Sequence, residues 1–413
     1  MLTFMATAGV SAALAMESFR RRERNHTRTL ESLDVNVHVN GIRGKSTVTR
    51  MIGGVLRAHG FNAIAKTTGT YACVIDQDAF EHPIKRVGPP NINEQYDILK
   101  EWVTADINAA VFECMAVKPK YQKLCQDVIL RSPISVITNV RLDHQEDMGD
   151  TVEEIAASLC STVPSGGTVV TGERNPVLVN IIREHCEAKD ATLVVAEESE
   201  TSRSLVDAFD YQQFEENVAV ALAVAKLLGI DEATACRGML SAAPDPGTTR
   251  VTRIEESERP DLFWVPMFAI NDWESTVRVF NDVKDGLPEG CRNVVALNNR
   301  ADRTDRAAMF VDLVAEELID SSDLIVLYGD IQEVVQKKFV DLGVPEEKIV
   351  MTVDTDDNDG RELVNAARDR FGADEHVAVY GMVNIHTPAV GAMERYISNL
   401  VEGSHTRAEV AAA

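Results

Sequence analysis

The chain alternates short runs of β-branched residues with longer amphipathic helical patterns, which predicts an α/β architecture built on parallel strands. Candidate strands in the first part of the chain are residues 35–40, 108–114, 134–140, 167–172 and 191–196. Helical patterns lie between them and include 47–60 and 214–230, where apolar positions are dense enough for burial on most faces. We therefore expect a buried sheet with helices packed against it.

The alternation is interrupted at residues 241–250, where two prolines and a glycine precede a charged segment. Such a break is typical of a domain boundary. Beyond it, further candidate strands are each followed by a helical pattern, at 293–299, 324–329, 348–353 and 376–386. We predict a terminal segment at 1–30, a larger α/β domain at 31–250 and a smaller doubly wound domain at 251–413.

Charge and cysteine usage exclude several classes of protein. The 413 residues carry a formal net charge of −24, which argues against general nucleic-acid binding because affinity for phosphate backbones comes from clustered Lys and Arg. The 7 cysteines are scattered and form no CxxC pair, so neither a disulfide framework nor a zinc site is indicated. We expect the main body to be cytoplasmic.

The N-terminal stretch differs from the rest of the chain. Residues 1–16 carry no charged side chain and are followed by Arg20, Arg21, Arg22 and Arg24, whereas a cleaved signal peptide carries its positive charges first. As a helix the uncharged stretch spans about 24 Å, less than the bilayer core of about 30 Å. A short anchor, a helix lying in the interface and an ordinary first helix packed on the body all stay open. We predict attachment to the cytoplasmic face of the membrane.

The sequence GIRGKST at residues 41–47 stands between the first candidate strand and a helical pattern. The backbone N–H groups of such a turn can bind an anion, Lys45 adds a positive charge, and the Ser46 hydroxyl can ligate Mg²⁺. A full Walker A spacing needs glycine where this chain has Val39, so the match is to the shorter G-x-x-G-K-[ST] form. We predict nucleotide binding, with a chance glycine turn as the alternative.

Charged or ionisable side chains also follow the next two candidate strands. Glu113 ends one strand, and Asp143 and His144 come after the other, at the edge where open α/β sheets bind ligands. Each taken singly could be a capping or solvated residue, but their arrival at successive strand ends favours a site. We predict a magnesium site of Ser46, Glu113 and His144, although histidine is an unusual ligand for so hard an ion.

These motifs resemble those of the ATP-dependent Mur ligase superfamily, which includes the muramyl peptide ligases and folylpolyglutamate synthase. The likeness is carried by GIRGKST at 41–47, FECMA at 112–116, TNVRLDH at 138–144, the helical pattern at 214–230 and PDPGTTR at 244–250. It implies a Mur-ligase-like central P-loop ATPase domain and a smaller Rossmann-like C-terminal domain, with Lys45, Glu113 and His144 as catalytic residues. The nucleotide contacts expected on these grounds are Asn40, Gly41, Arg43, Gly44, Lys45, Ser46, Thr47, Asn217 and Arg250.

Within that superfamily the likeness is to the ligase subunits of poly-γ-glutamate synthases, membrane-associated enzymes of capsule polymer synthesis. It covers residues 1–400 and includes KTTGTYA, GPPNINEQ, NNRADRTDR and GMVNIH. It implies that ATP phosphorylates a glutamate side-chain carboxylate and that the amine of another glutamate attacks the acyl phosphate, giving a γ-amide. It also implies glutamate and the polymer as ligands, an integral membrane subunit as partner, and an oligomer.

Substrate-binding candidates come from three of these segments. Three arginines stand three apart after a strand, and on a first helical turn they could clamp carboxylates bidentately. The alternative is a solvated helix start in which the intervening aspartates are local partners. His386 is expected either to line the cleft between domains or to be a satisfied structural histidine. The full set is Lys66, Thr67, Thr68, Arg300, Arg303, Arg306 and His386.

The chain departs from the wider superfamily at two places. Leu159 stands where many Mur-type ligases have a carbamoylated lysine, so a metal-bridging carbamate is not expected. Asn271 and Asp272 replace part of a D-x-A-H-N-P segment, which leaves their roles open. Two other functions also stay open: a soluble ligase like folylpolyglutamate synthase, and a P-loop ATPase that gates a membrane partner.

Overall fold

The candidate strand at residues 35–40 forms with those bounds and lies inside the sheet of the first of two units. The computed structural model describes residues 2–69, 71–86, 88–209, 211–245, 248–256, 259–352, 360–372, 374–385 and 387–411. The first unit comprises residues 1–209 and 213–246, and the second comprises 210–212 and 247–413. Each unit has its own sheet and its own apolar core.

The elements of the first unit follow one another as the alternating pattern predicts. Its strands are β1 (Val35–Asn40), β2 (Ala63–Lys66), β3 (Cys73–Ile75), β4 (Glu81–Pro83), β5 (Ala109–Glu113), β6 (Ile134–Ile137), β7 (Thr168–Thr171) and β8 (Thr192–Val195). Its helices are α1 (Leu2–Glu31), α2 (Lys45–His59), α3 (Asn93–Trp102), α4 (Pro119–Leu124), α5 (Gln145–Met148), α6 (Val152–Leu159), α7 (Pro176–Glu187), α8 (Glu200–Val206), α9 (Glu215–Leu227) and α10 (Glu232–Leu240).

The strand order of this sheet, within the described residues, is β4-β3-β2-β5-β1-β6-β7-β8. Strands β1, β2, β5, β6, β7 and β8 pair in parallel, as expected. Strands β3 and β4 pair antiparallel, and β4 is a three-residue edge strand that ends at Pro83. The expectation of parallel strands is therefore wrong at this edge, where short connections replace crossover helices.

Helix α2 is fixed against the sheet by its apolar side chains and by a close contact with α10. Val48, Met51 and Ile52 are buried in the core that also holds strand β1. Gly54 lies against Gly238, and a Cβ added at Gly54 would come within 2.2 Å of the Gly238 carbonyl oxygen. This packing holds the N-terminus of α2 at the carboxyl end of β1.

Helix α1 docks on the first unit through its C-terminal half. Glu23 forms an ion pair with Arg131 at 2.5 Å, and His26 Nε2 lies 3.3 Å from the Val128 carbonyl oxygen. Leu30 packs against the core below α3. Within the described part of the chain, no helix combines the length and apolar content needed to cross a membrane.

The second unit repeats the alternation on a smaller scale. Its strands are β9 (Thr252–Glu256), β10 (Arg259–Pro266), β11 (Arg292–Asn299), β12 (Leu324–Gly329), β13 (Ile349–Met351) and β14 (Val377–Val383). Its helices are α11 (Trp273–Gly286), α12 (Thr304–Leu313), α13 (Gln332–Asp341), α14 (Arg361–Arg368) and α15 (Pro388–Ala411). The strand order among its described residues is β13-β12-β11-β14-β10-β9.

Two features of the second unit differ from expectation. Strands β9 and β10 pair antiparallel in the charged segment where no strand was predicted. Helix α12 begins at Thr304, so Arg300 and Arg303 precede it and the expected sharing of a first helical turn is wrong for both. Asp272, whose role was open, caps α11 by accepting a hydrogen bond from the Ser275 N–H at 2.9 Å.

Candidate active site

The loop between β1 and α2 has a backbone that requires glycine. Gly41 has φ 129° and Gly44 has φ 76°, a left-handed region that other residues rarely adopt. A Cβ at Gly41 would lie 2.0 Å from Thr138 Oγ1, and one at Gly44 would lie 2.3 Å from Asn217 Oδ1. The loop is thus shaped both by its own glycines and by the elements pressed against it.

The carboxyl end of β6 holds this loop in place. Thr138 Oγ1 donates to the Arg43 carbonyl oxygen at 2.6 Å, and the Arg43 N–H donates to Asn139 Oδ1 at 3.0 Å. The Thr138 N–H also donates to the Asn40 carbonyl oxygen at 2.9 Å. Because two strand ends share these bonds, the loop is preorganised before any ligand arrives.

Lys45 is folded back over the loop. Its Nζ donates to the carbonyl oxygens of Gly41 at 2.9 Å and Ile42 at 3.1 Å. Burial lowers the pKa of Lys45, and the negative charge of Glu113 acts in the opposite direction. The ammonium therefore lies within the glycine loop, at the N-terminus of α2, where an anion is favoured.

Ser46 and Glu113 meet at the centre of the site. Ser46 Oγ donates to Glu113 Oε2 at 2.9 Å, and the Thr68 N–H donates to the same oxygen at 2.7 Å. Glu113 is buried, and a Cβ at Gly69 would lie 2.7 Å from Ser46 Oγ. A hydroxyl and a carboxylate together are the oxygen ligands that Mg²⁺ prefers, so this pair fits the ion.

His144 lies on a neighbouring loop in a different environment. Its φ is 51°, its side chain is half exposed, and its Nε2 lies 3.8 Å from Asp143 Oδ2. Asp143 Oδ2 in turn accepts a hydrogen bond from Arg43 Nη2 at 2.9 Å. Among the described residues, no cluster of three or more His, Cys, Asp or Glu has a metal-binding arrangement. The hydroxyl of Ser46 falls outside those residue types, and ligation by His144 stays a prediction.

Lys66 lies at the end of β2 and is completely buried. Its Nζ forms an ion pair with Glu94 Oε1 at 2.7 Å, and Arg86 donates to the same carboxylate from Nε at 2.6 Å and Nη2 at 3.0 Å. Burial lowers the pKa of Lys66, while Glu94 and Glu113 raise it. Lys66 thus faces a glutamate of its own chain, and its predicted role in substrate binding stays a prediction.

Gln95 joins this cluster to the serine–glutamate pair. Its Nε2 donates to the Glu113 carbonyl oxygen at 2.8 Å, and its side chain is completely buried. The first turn of α3 therefore holds Lys66 through Glu94 and the backbone of Glu113 through Gln95. Neither α3 residue was predicted to belong to the site, although both end GPPNINEQ, one of the segments that carry the family likeness.

Two asparagines predicted to contact nucleotide are buried. Asn40 Nδ2 lies 2.8 Å from Gln122 Oε1 and 3.4 Å from the Leu159 carbonyl oxygen. Asn217 Nδ2 donates to Gln213 Oε1 at 3.2 Å, and its Oδ1 is buried without a hydrogen-bond partner among the described residues. Asn217 therefore presents an unsatisfied acceptor next to Gly44.

The remaining candidates belong to the first turn of α2, the end of β2, the second unit or residues outside the described ranges. Thr47 is partly buried in the first turn of α2, and Thr67 Oγ1 donates to the Tyr71 carbonyl oxygen at 3.1 Å. In the second unit, Arg250 is exposed and Arg300 pairs with Asp302 through bonds of 2.9 and 2.7 Å. Arg303 precedes α12, Arg306 Nη1 lies 3.4 Å from Asn384 Oδ1, and His386 is outside the described residues.

Both halves of the chain match known protein families. Residues 39–232 match the Mur ligase middle domain, and residues 251–400 match the poly-gamma-glutamate synthase CapB C-terminal domain. The chain is 36% identical to PGA synthase CapB of Bacillus subtilis over 376 residues, 90% of this chain and 93% of that protein. The chain belongs to the CapB family. It is also 36% identical to capsule biosynthesis protein CapB of Bacillus anthracis, over 92% of this chain and 79% of that protein.

A solved structure with the same fold shows a more distant likeness. The folylpolyglutamate synthase/dihydrofolate synthase of Yersinia pestis, complexed with AMPPNP and a manganese ion, has a TM-score of 0.61. The match covers 90% of this chain and 91% of that one at 14% sequence identity. The CapB family member described here therefore has the Mur-ligase-like α/β fold that the motifs predict.

Proposed function

We propose that this chain is an ATP-dependent ligase that joins glutamates through γ-amide bonds and so produces poly-γ-glutamate for a capsule. The observation that carries the proposal is the similarity to two CapB proteins over at least nine-tenths of the chain. The preorganised loop with Lys45, and the Ser46–Glu113 pair beside it, are the parts that an ATP-dependent ligase needs.

The proposed reaction has two steps. A glutamate γ-carboxylate oxygen attacks the γ-phosphorus of ATP, forming an acyl phosphate and releasing ADP. The amine of another glutamate then attacks the acyl carbon, loses a proton and expels inorganic phosphate. Negative charge grows on phosphoryl oxygens and then on the tetrahedral carbonyl oxygen, so catalysis depends on positioning and on nearby cations.

The residues of the first unit divide this work. Lys45 and the N–H groups at the start of α2 bind phosphate oxygens, and Arg43 adds a second cation. Ser46 and Glu113, with His144 as the predicted third member, would hold Mg²⁺, which neutralises charge on the phosphates when bound. Thr68 and Gln95 keep Glu113 in place through its side chain and its carbonyl group.

The remaining predicted contacts belong to the same proposal. Asn217 and Arg250 would contact the nucleotide. Glutamate and the polymer would be bound by Lys66, Thr67, Thr68, Arg300, Arg303, Arg306 and His386. We further propose that the protein works as an oligomer with an integral membrane subunit, on the cytoplasmic face of the membrane.

Substrate supply and a lysine variant test the function together. The purified chain is given ATP and Mg²⁺ with glutamate alone or with glutamate and tetrahydrofolate together, and ADP and amide product are both measured. We expect both products with glutamate, and Lys45→Ala should lower turnover about a thousandfold or more because the growing phosphoryl charge loses its cation. Lys120→Ala, at an exposed position on α4, is the matched control.

Each alternative function has its own result in that experiment. Amide formed only with tetrahydrofolate would indicate a ligase like folylpolyglutamate synthase. ADP without any amide would indicate an ATPase that gates a partner. Turnover of Lys45→Ala close to that of the unchanged chain would contradict the role of the loop.

A further inference from the structure

A pocket of about 340 Å³ lies between α1 and α3, apart from the glycine loop. Arg22 and His26 line it from α1, and Tyr96 and Lys100 line it from α3. Its other lining residues are neutral hydroxyl and amide side chains. The charged side chains of the pocket, Arg22 and Lys100, are therefore both cationic.

The charge of this pocket is the reverse of that of the whole chain. The chain has 65 acidic and 41 basic residues, yet none of the seven residues that line the pocket is acidic. The two nearby glutamates of α1 bind other arginines: Glu17 pairs with Arg24 at 2.8 Å, and Glu23 pairs with Arg131 at 2.5 Å. An anion is thus the ligand that this pocket can recognise.

Ring contacts hold the lining in shape. The rings of His26 and Tyr96 have centroids 4.8 Å apart, and the Arg22 guanidinium carbon lies 5.0 Å from the Tyr96 centroid. His26 is buried and is hydrogen-bonded to the Val128 carbonyl group. A pocket formed before binding loses little conformational entropy when a ligand enters.

We propose that this pocket binds the carboxylates of a γ-linked glutamate chain and holds the polymer beside the reaction site. The inference rests on the proposed ligase function. Helix α3 contributes residues both to the pocket and to the reaction site. In its first turn, Glu94 contacts Lys66 and Gln95 contacts Glu113. Lys100 follows Glu94 by six residues, which is about 9 Å along a helix.

The shared helix favours a polymer over a membrane surface as the source of the anion. A glutamate chain that leaves the site carries a carboxylate on every unit, and the pocket offers two cations, Arg22 from α1 and Lys100 from α3. Holding the chain there keeps its reacting end at a high effective concentration. Successive additions then occur without release of the polymer.

Direct binding tests the pocket without any need for turnover. A fluorescent γ-linked glutamate oligomer is titrated with the full chain, and anisotropy gives the dissociation constant. We expect Arg22→Gln/Lys100→Gln to weaken binding about five- to tenfold, because two ion pairs are lost. The matched control is Arg20→Gln/Lys120→Gln, which removes the same charge at exposed positions outside the pocket.

Polymer length gives a second readout. With a short acceptor, the pocket variant should release ADP at the normal initial rate but make shorter polymer, whereas the control double variant should match the unchanged chain. Equal weakening in both double variants would overturn the proposal. The proposal would also be overturned if Arg22→Gln/Lys100→Gln bound the oligomer normally but no longer bound vesicles that contain an anionic phospholipid. If the unchanged chain binds the oligomer but forms no amide, the ligase function fails and the binding site stands.

Discussion

At the scale of single residues, Lys66 shows how a buried charge can be kept in place. Its ammonium has no solvent exposure, and the carboxylate of Glu94 lies 2.7 Å away. Burial by itself would raise the pKa of Glu94, but the hydrogen bonds from Arg86 and Lys66 hold that pKa below its ordinary value of 4.5. The side chains of Lys66, Glu94 and Arg86 therefore form one cluster of paired charges.

Replacing Glu94 with glutamine should reveal this unit as a pH-dependent contribution to stability. Because the pKa of Glu94 is lower in the folded than in the unfolded chain, its charge stabilises the fold above about pH 4.5 and less so as the pH falls. We expect Glu94→Gln to lower the free energy of unfolding by about 3 kcal/mol at neutral pH. Urea unfolding at several pH values measures this loss.

The loss in Glu94→Gln should shrink on acidification, because protonation removes the same charge from the unchanged chain. Glu101→Gln is the control, since Glu101 lies exposed on the same helix. A loss that stays constant from neutral to acid pH would show that packing, rather than charge, links α3 to Lys66.

Glu113→Gln tests the metal site. Glutamine keeps the shape of the side chain but removes the charge that a magnesium ion needs, so turnover should fall about a hundredfold and recover in part at high Mg²⁺. Magnesium titrations of ADP release measure the shift, and Glu153→Gln, at an exposed position on α6, is the control. An unchanged magnesium dependence would mean that Glu113 is not a ligand.

At the scale of elements, the glycine loop depends on two strand ends and on helix α9. Gly44→Ala should weaken nucleotide binding, because the new Cβ would lie 2.3 Å from Asn217 Oδ1 and must displace it. Gly166→Ala is the control for backbone strain alone. Gly166 has φ 67°, but a Cβ added there would have nothing within 4 Å.

Both alanine variants should lose about 1–2 kcal/mol of stability from the left-handed backbone. Only Gly44→Ala should lose nucleotide affinity, measured by titration with a fluorescent ATP analogue. Equal affinity in the two variants would show that Asn217 does not constrain the loop.

The sequence predicts the buried elements of the fold better than the edges. Strand β1 and the parallel strands beside it form within two or three residues of their predicted ends, because β-branched runs bounded by polar residues fit a buried strand. Strand β2 was missed since AIAK contains two alanines, which are weak strand formers. Strands β9 and β10 were not predicted, because the many charged residues of this segment are not typical of a β-hairpin.

The sequence predicts the site residues that come directly after a strand. It does not predict contacts that depend on how distant segments pack together. The Ser46–Glu113 pair follows from two parallel strands that end at one edge of the sheet. Lys66 was a candidate from the sequence, but its contacts with Glu94 and Arg86 depend on the path of the chain between β4 and α3, for which the sequence has no periodic signal.

At the scale of the whole molecule, the N-terminal stretch can be removed without disturbing the contacts that bind α1 to the first unit. The C-terminal half of α1 is bound to the first unit through Glu23 and His26. Deleting residues 1–15 leaves those contacts intact, so the body should fold and hydrolyse ATP as before.

In cells, the truncated chain should leave the membrane fraction and make little polymer, because the uncharged stretch is the part predicted to attach to the membrane. Fractionation and polymer yield measure the two effects, with restoration of the deleted residues as the control. Normal polymer yield from the deleted chain would show that the stretch neither anchors nor docks.

One edge of each sheet, β4 in the first unit and β13 in the second, affects how the protein behaves at high concentration. Strand β4 has three residues and ends in Pro83, which has no N–H to donate, and strand β13 also has three residues. A second molecule therefore finds almost no ladder of free backbone groups at these edges. We expect these two edges to resist strand addition when the protein is concentrated.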